Sequence, residues 1–316
     1  MAHWAAILAG GEGSRLQSVT SRLTGDSRPK QFCRLLGQRT LLEETRDRVL
    51  RSVAPHRTIT VTTAHHRAFY TEDLLSGPSH RLVEQPTSRG TAAAIALALG
   101  RISGLDPAAI LGIFPSDHYY REPGVLTHAV DLAFLTAAMY PDHLVLVGAS
   151  AERAESDYGW IVPGGIVPTP FKDNHVFSVD GFSEKPDLDA ATALLDRGGL
   201  WNTFIAVGSV KAFSTTLHAT LPDHERFSAH VAGAHSVANE RRIVQDAYAT
   251  LEPACFSSSV LGHAPMRCLT VRMTGSGWMD IGRPNRLAVA QARSTETTPS
   301  PALFAHALAA VQAAGI

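Results

Sequence analysis

Short apolar runs alternate with longer segments of three- and four-residue apolar spacing through the first half of the chain. HWAAILA (3–9), TITVTT (58–63), HRLVE (80–84), AAILGIFP (108–115) and HLVLVGA (143–149) read as strands. They are rich in branched residues and bounded by turn formers, as strands buried on both faces are. Between them TLLEETRDRVLRSV (40–53), TAAAIALALGRI (91–102) and PGVLTHAVDLAFLTAAM (123–139) carry the helical period. Strands alternating with helices predict an α/β fold: a mostly parallel, Rossmann-like mixed sheet flanked by helices.

After residue 150 glycine and proline concentrate in DYGWIVPGGIVPTP (157–170), which reads as loops and an irregular strand excursion. Regular segments resume with HVFSVDGFSEKP (175–186), a helix DLDAATALLDRGG (187–199) and a strand LWNTFIAVGS (200–209). Helices are expected over much of 209–252, with a late strand at RCLTVRM (267–273). STETTPSP (294–301) reads as a linker and ALFAHALAAVQAAGI (302–316) as a C-terminal helix. The expected organisation is one domain over 1–294 and a short linker with a helical tail over 295–316. No repeat of solenoid period is present.

Composition narrows the function classes. The chain has 316 residues, 45% hydrophobic and 18% charged, with a formal net charge of -1. That balance predicts a globular protein with a sizeable core and gives no electrostatic reason for nucleic-acid or membrane partners. The N-terminal MAHWAAILAGG lacks the charged lead and cleavage site of a signal peptide, and its apolar run is too short to span a bilayer. Three widely spaced cysteines, Cys33, Cys255 and Cys268, form neither a disulfide framework nor a CxxC motif, as suits a reducing cytoplasm. Of fifteen histidines, the pair His65–His66 has no Cys or carboxylate beside it in sequence, so surface histidines are expected there.

The chemistry concentrates in AAILAGGEGSRLQSVTSRLTGDSRPKQF (5–32). A buried strand gives way to a glycine-rich, cationic loop, at the sheet edge where open α/β sheets bind ligands. Glycine lets backbone N–H groups approach a phosphate with no Cβ in the way. The Walker pattern GxxxxGK[ST] is absent. Gly11-Glu12-Gly13 lacks the third glycine of a dinucleotide fingerprint, which counts against an oxidoreductase. What remains is Gly10-Gly11-x-Gly13-Ser14-Arg15-Leu16 and then Pro29-Lys30.

That combination resembles the signature of the sugar-1-phosphate nucleotidyltransferases, and further resemblances follow in the family's order. They are Glu84-Gln85-Pro86 with Arg89-Gly90-Thr91-Ala92, Phe114-Pro115-Ser116-Asp117-His118, Tyr158-Gly159-Trp160-Ile161, Glu184-Lys185-Pro186-Asp187, Leu200-Trp201-Asn202-Thr203 and Gly277-Trp278-Met279-Asp280-Ile281-Gly282. Among family branches, Pro-Lys-Gln-Phe, Ser-Asp-His and the Trp-Asn pair look most like mannose-1-phosphate guanylyltransferases. The resemblance implies a nucleotide-diphospho-sugar transferase type of fold and attack by a sugar 1-phosphate on the α-phosphorus of a nucleoside triphosphate. GTP and mannose 1-phosphate are the implied substrates, with another nucleotide or sugar, or a silent regulatory homologue, as alternatives. A homodimer is compatible with the resemblance.

The resemblance also implies the residue roles that follow. Arg15 and Lys30 hold the β- and γ-phosphates, and Lys185 neutralises the sugar phosphate and α-phosphate as they meet. Asp117 and Asp280 hold Mg²⁺, which prefers hard oxygen ligands. Leu8, Gly10, Gly11, Gly13, Ser14, Gln85, Arg89, Gly90 and Thr91 form the nucleotide side. Gly159, Glu184 and Asn202 form the sugar side. Ser88 or Thr91 could equally cap the following helix. Tyr158, Trp160 and Trp201 read as packing as readily as stacking. Many members of the mannose branch read Arg-Asn-Thr at 89–91 and Asn-Ser-Gly at 202–204, where this chain has Arg89-Gly90-Thr91 and Asn202-Thr203-Phe204. These departures touch base and sugar recognition and leave the phosphate and metal residues intact.

Overall fold

The computed structural model describes residues 1–75, 81–170 and 175–295. The expected C-terminal helix over 302–316 lies outside the described residues. The expected linker begins later than the sequence indicates, because a helix Pro284–Thr295 runs through its first two residues.

Eleven strands are described: β1 His3–Leu8, β2 Thr58–Thr63, β3 Leu82–Gln85, β4 Ile110–Pro115, β5 His118–Tyr119, β6 Leu144–Ser150, β7 Gly159–Ile166, β8 Val176–Glu184, β9 Leu200–Ser209, β10 Cys268–Met273 and β11 Met279–Asp280. Nine form one sheet in the order β3-β2-β1-β4-β9-β6-β10-β8-β7, and β5 pairs with β11. β1 to β4 run parallel, and β9 runs against both β4 and β6. β10 follows β6, β8 opposes β10, and β7 opposes β8 and β9. Only β8 and β9 therefore run against the rest, so the expectation of a mostly parallel mixed sheet holds.

Helices cover both faces. The Ala-rich helix Gly90–Leu105 packs with helices Val210–Thr220 and Pro222–Ala232 over one face, sharing a core with Ile59, Val61 and Leu111. Helices Leu41–Val49 and Pro123–Met139 share the other core with Ile7, Val145 and Val207. The helix at Leu41 starts where the sequence says it should. Thr40 accepts from the Glu43 amide while Glu43 reaches back to the Thr40 amide, a complete capping box.

The irregular strand excursion expected within 157–170 is β7, a bulged strand, with loop on either side of it. Its pairing with β8 shifts register around Pro163, past the Trp160–Ile161 stretch that also pairs with β9, and a bulge beside a single partner strand accommodates proline and paired glycines. The glycine loop also holds a helix that the sequence does not announce, Gln17–Thr24. It has no side-chain cap and few strong helix formers, and it closes on Gly25 at φ 77°.

Candidate active site

β1, β3 and β4 end at one edge of the sheet, and the segments that follow them open onto a cavity of about 350 Å³. At the end of β1 the Ala9 amide still bonds Val61 O, and then the chain leaves the sheet as Gly10–Gly13. Gln31, buried, donates through Nε2 to Ala9 O at 2.9 Å and to Gly11 O at 2.7 Å. Thr63 Oγ1 donates to Gly10 O at 3.0 Å. Three successive carbonyls are thus drawn into the protein, an orientation that suits an anion on the other side. Leu8, Gly10, Gly11 and Gly13 line the cavity, as does the exposed Arg15. Ser14 lines a smaller adjoining cavity that shares Arg15, Lys30 and Asp117.

Lys30 and two carboxylates form the centre. Lys30 is buried, its Nζ donating to Ile281 O and standing 3.1 Å from Asp117 Oδ2 and 3.5 Å from Asp280 Oδ1. Burial pulls the ammonium pKa down, but Asp117 and Asp280 outweigh it and hold it above its ordinary value. Asp117 is also buried at a cost, yet Lys30 and His118 bring its pKa below the carboxylate norm. Both groups are therefore charged at neutral pH. Asp117 follows β4 directly, and the β5–β11 ladder brings Asp280 to it from far along the chain.

His118 is a residue that the sequence reading left without a role. Its Nδ1 accepts from Trp278 Nε1 at 3.2 Å, so the ring proton lies on Nε2, 3.8 Å from Asp117 Oδ1. Burial holds its pKa below 6.5, and the ring stands beside the Asp117 oxygen that does not face Lys30.

On the expected nucleotide side, Gln85 is fixed by two bonds, from its Nε2 to Thr62 O and from Tyr248 Oη to its Oε1. Gly90 opens the helix at φ 81°, a left-handed conformation that glycine and asparagine reach most readily. A Cβ here would also stand 2.2 Å from Ala254 O, so this chain requires glycine at this position. Neither Ser88 nor Thr91 caps the helix. The cap position is Arg89 with no side-chain bond, while Thr91 Oγ1 accepts from the Phe256 amide. Gly90, Thr91 and Ala94 therefore present the helix N-terminus to the cavity. Arg89 is not among the lining residues; its Nε donates to Tyr248 O at 3.0 Å.

On the expected sugar side, β7 and β8 pair Gly159 with Glu184, and Trp160 pairs with Trp201 next to Asn202. A Cβ on Gly159 would lie 2.8 Å from Glu184 Oε2 and 3.3 Å from Asn202 Cβ, so glycine keeps that floor open. Asn202 Oδ1 accepts from the Phe204 amide at 3.1 Å, which leaves its amide group to the cavity. Lys185 and Phe204 both line the cavity at positive φ, 48° and 66°. Such strain, typically ~1–3 kcal/mol per residue, concentrates at functional sites. The Lys185 amide donates to Tyr158 O, and its Nζ lies 3.3 Å from Glu184 Oε1.

Tyr158, Trp160 and Trp201 are buried; Trp201 meets Tyr158 and Trp160 edge to face, and Trp278 packs against Tyr158 and Trp201 at a tilt. Beneath them Arg286, 6% exposed, stands 3.0 Å from Glu155 and 2.9 Å from Asp157, with its guanidinium over the Tyr158 ring. Gln31, His118, Phe204 and Arg286 escaped the sequence reading. The first three stand inside or beside quoted motifs and could have been found there; Arg286 carried no signal.

The expected surface histidines require correction. His65 is half-exposed, but His66 is 1% exposed, and the Glu12 carboxylate faces both. Sequence distance hid the carboxylate, because β1 and β2 run side by side and pair Leu8 with Val61. Glu12 and His65 each lie four residues beyond that pair.

A family description, nucleotidyl transferase, matches residues 4–297. The chain belongs to this family. It is 33% identical over 224 residues to a mannose-1-phosphate guanylyltransferase of Klebsiella pneumoniae, covering 69% of this chain and 45% of the relative. A xanthan biosynthesis protein of Xanthomonas campestris is 37% identical over 206 residues, covering 62% of this chain and 40% of that one. The chain thus spans about half the length of the curated relatives it matches. The fold is shared with a Thermus thermophilus structure described as a mannose-1-phosphate geranyltransferase, with TM-score 0.78 and 24% identity over 95% of this chain and 81% of that one. No described helix is long and apolar enough to cross a membrane.

Proposed function

We propose that this chain transfers a nucleotidyl group from GTP to mannose 1-phosphate, forming GDP-mannose and pyrophosphate. The observation that carries the reading is the Asp117–Lys30–Asp280 cluster beside the glycine loop. A sugar-phosphate oxygen attacks the α-phosphorus of the triphosphate, the new P–O bond forms, and the bond to the β-phosphate oxygen breaks. Both reactants are polyanions, and the attacking phosphate is already ionised. The protein therefore needs to position charges rather than supply a nucleophile.

Mg²⁺ fits the residues present. Two carboxylates converge at the cavity, a hard oxygen donor set, and Mg²⁺ usually takes one or two carboxylates and completes its shell with phosphate and water. Asp117 and Asp280 would hold it, and when bound it would screen the phosphate charges. Arg15 would grip the β- and γ-phosphates through its planar fork. Lys30 would share its charge between the carboxylates and the triphosphate. Lys185 would meet the sugar phosphate while Asn202 and Glu184 bond sugar hydroxyls. Each cation–phosphate pair is worth about 4 kcal/mol before desolvation at ~4 Å and an effective dielectric of about 20.

Pyrophosphate release with Mg²⁺, across four nucleoside triphosphates and a panel of sugar 1-phosphates, tests the reading. Release with GTP and mannose 1-phosphate alone supports it in full. Release with another pair keeps the chemistry and moves the substrate. Silence from well-folded protein contradicts it.

A further inference from the structure

Glu12, His65 and His66 meet at the end of the first two strands, outside the cluster assigned to catalysis. We infer that they form a second cation site, for a borderline divalent metal of the Zn²⁺ class, which clamps the glycine loop to the turn after β2.

Three observations carry this. Glu12 Oε1 lies 2.9 Å from His65 Nε2, and Glu12 Oε2 lies 3.5 Å from His66 Nε2. One ligand atom from each of the three residues lies within 4.8 Å of the others. Ligands ~2.0–2.1 Å from a tetrahedral zinc stand roughly 3.3 Å apart, so small side-chain adjustments close the shell. Second, His66 is 1% exposed and neither of its ring nitrogens has a hydrogen-bond partner among the described residues. A buried imidazole left unsatisfied is costly, and a metal would take the lone pair it presents toward Glu12. Third, the ligand set is two imidazoles and one carboxylate, which suits zinc and its neighbours rather than Mg²⁺. His65 and Glu12 are half-exposed, so a fourth position is open to water.

The consequence lies in the loop. Glu12 stands between Gly11 and Gly13 and lines the cavity that also holds Arg15 and Lys30. A metal on Glu12 would hold that loop against the neighbouring turn.

The test is titration of the full-length chain with Co²⁺, read by the visible absorption of the bound ion, in excess Mg²⁺. Wild type is expected to bind one Co²⁺ displaceable by Zn²⁺, and Zn²⁺ alone should raise its melting temperature. Glu12→Gln and His65→Ala, both at half-exposed positions, should fold normally, bind roughly 10²-fold more weakly and lose the thermal shift. Binding that is unchanged in both variants, absent from wild type, or displaced by Mg²⁺ would overturn the inference.

Discussion

Asp280 stands directly opposite His118 in the two-residue ladder between β11 and β5. That pairing sets the carboxylate of a late glycine-rich turn beside Asp117, the residue preceding His118. Lys30 bridges the two carboxylates, and the whole assembly depends on that one short ladder.

Removing the Lys30 ammonium leaves two part-buried carboxylates facing each other. Breaking such a pair costs about 3–5 kcal/mol when fully buried, and the partial exposure of Asp117 and Asp280 lowers the expected loss for Lys30→Met to about 1–3 kcal/mol. The pH dependence has a definite sign. Asp117 has a folded pKa below 3.8, so its stabilisation is present above 3.8 and lost as pH falls through the folded value. Lys30 has a folded pKa above 10.5, so its share is present below 10.5 and lost as pH rises through the folded value. Denaturant unfolding should show the gap between wild type and variant full between those limits and closing in strong acid. A gap that persists undiminished in acid contradicts the pairing.

Thiol labelling separates the three cysteines. Burial raises Cys33 to about 11 and Cys268 to about 12, whereas Cys255 is exposed. Only a thiolate reacts quickly, so native protein at mildly alkaline pH should label at Cys255 alone, with all three labelled in denaturant. Rapid native modification of Cys268 would refute the packing around β10.

Gly90 and Gly11 should respond oppositely to alanine. Gly90→Ala forces a Cβ onto Ala254 O in a left-handed conformation and should cost at least about 1–3 kcal/mol by thermal unfolding. Gly11 has open space around its Cβ position, so Gly11→Ala should melt close to wild type while raising KM for the nucleotide. If the two variants melt alike, the close approach of residue 254 is wrong.

The Arg286 guanidinium is buried between Glu155 and Asp157. Arg286→Leu removes the buried partner of Glu155 and Asp157 and leaves them to the exposed Arg153 and Arg283, so it should lower stability by about 1–2 kcal/mol. It should raise KM for the sugar phosphate more than KM for the nucleotide. Equal effects on both substrates would place its influence elsewhere.

Much of this was legible in the sequence, and the failures have physical causes. Strands such as 58–63 and 110–115 announce themselves because burial on both faces demands continuous branched residues. Asp117 was legible because it ends such a strand. Asp280 could be linked to it only by resemblance, since a two-residue ladder has no period to read. Arg89 is read as a nucleotide residue from its motif, but its bond to Tyr248 O could not be read there, because it depends on a helix 159 residues away in sequence. Pro163 and two glycines let β7 read only as an irregular strand excursion among loops, because they fall past its pairing with β9 where the strand bulges against β8. The Glu12–His65–His66 cluster was invisible because parallel pairing, not proximity in sequence, creates it.

The most direct measurement is pyrophosphate release from GTP and mannose 1-phosphate in Mg²⁺ by wild type and by Asp280→Asn. The variant keeps the ladder and the side-chain volume, so it should melt near wild type. Wild type should turn over, and the variant should fall by on the order of 10²–10³. Equal turnover by the two proteins, or none from folded wild type, would contradict the role given to the Asp117–Lys30–Asp280 cluster.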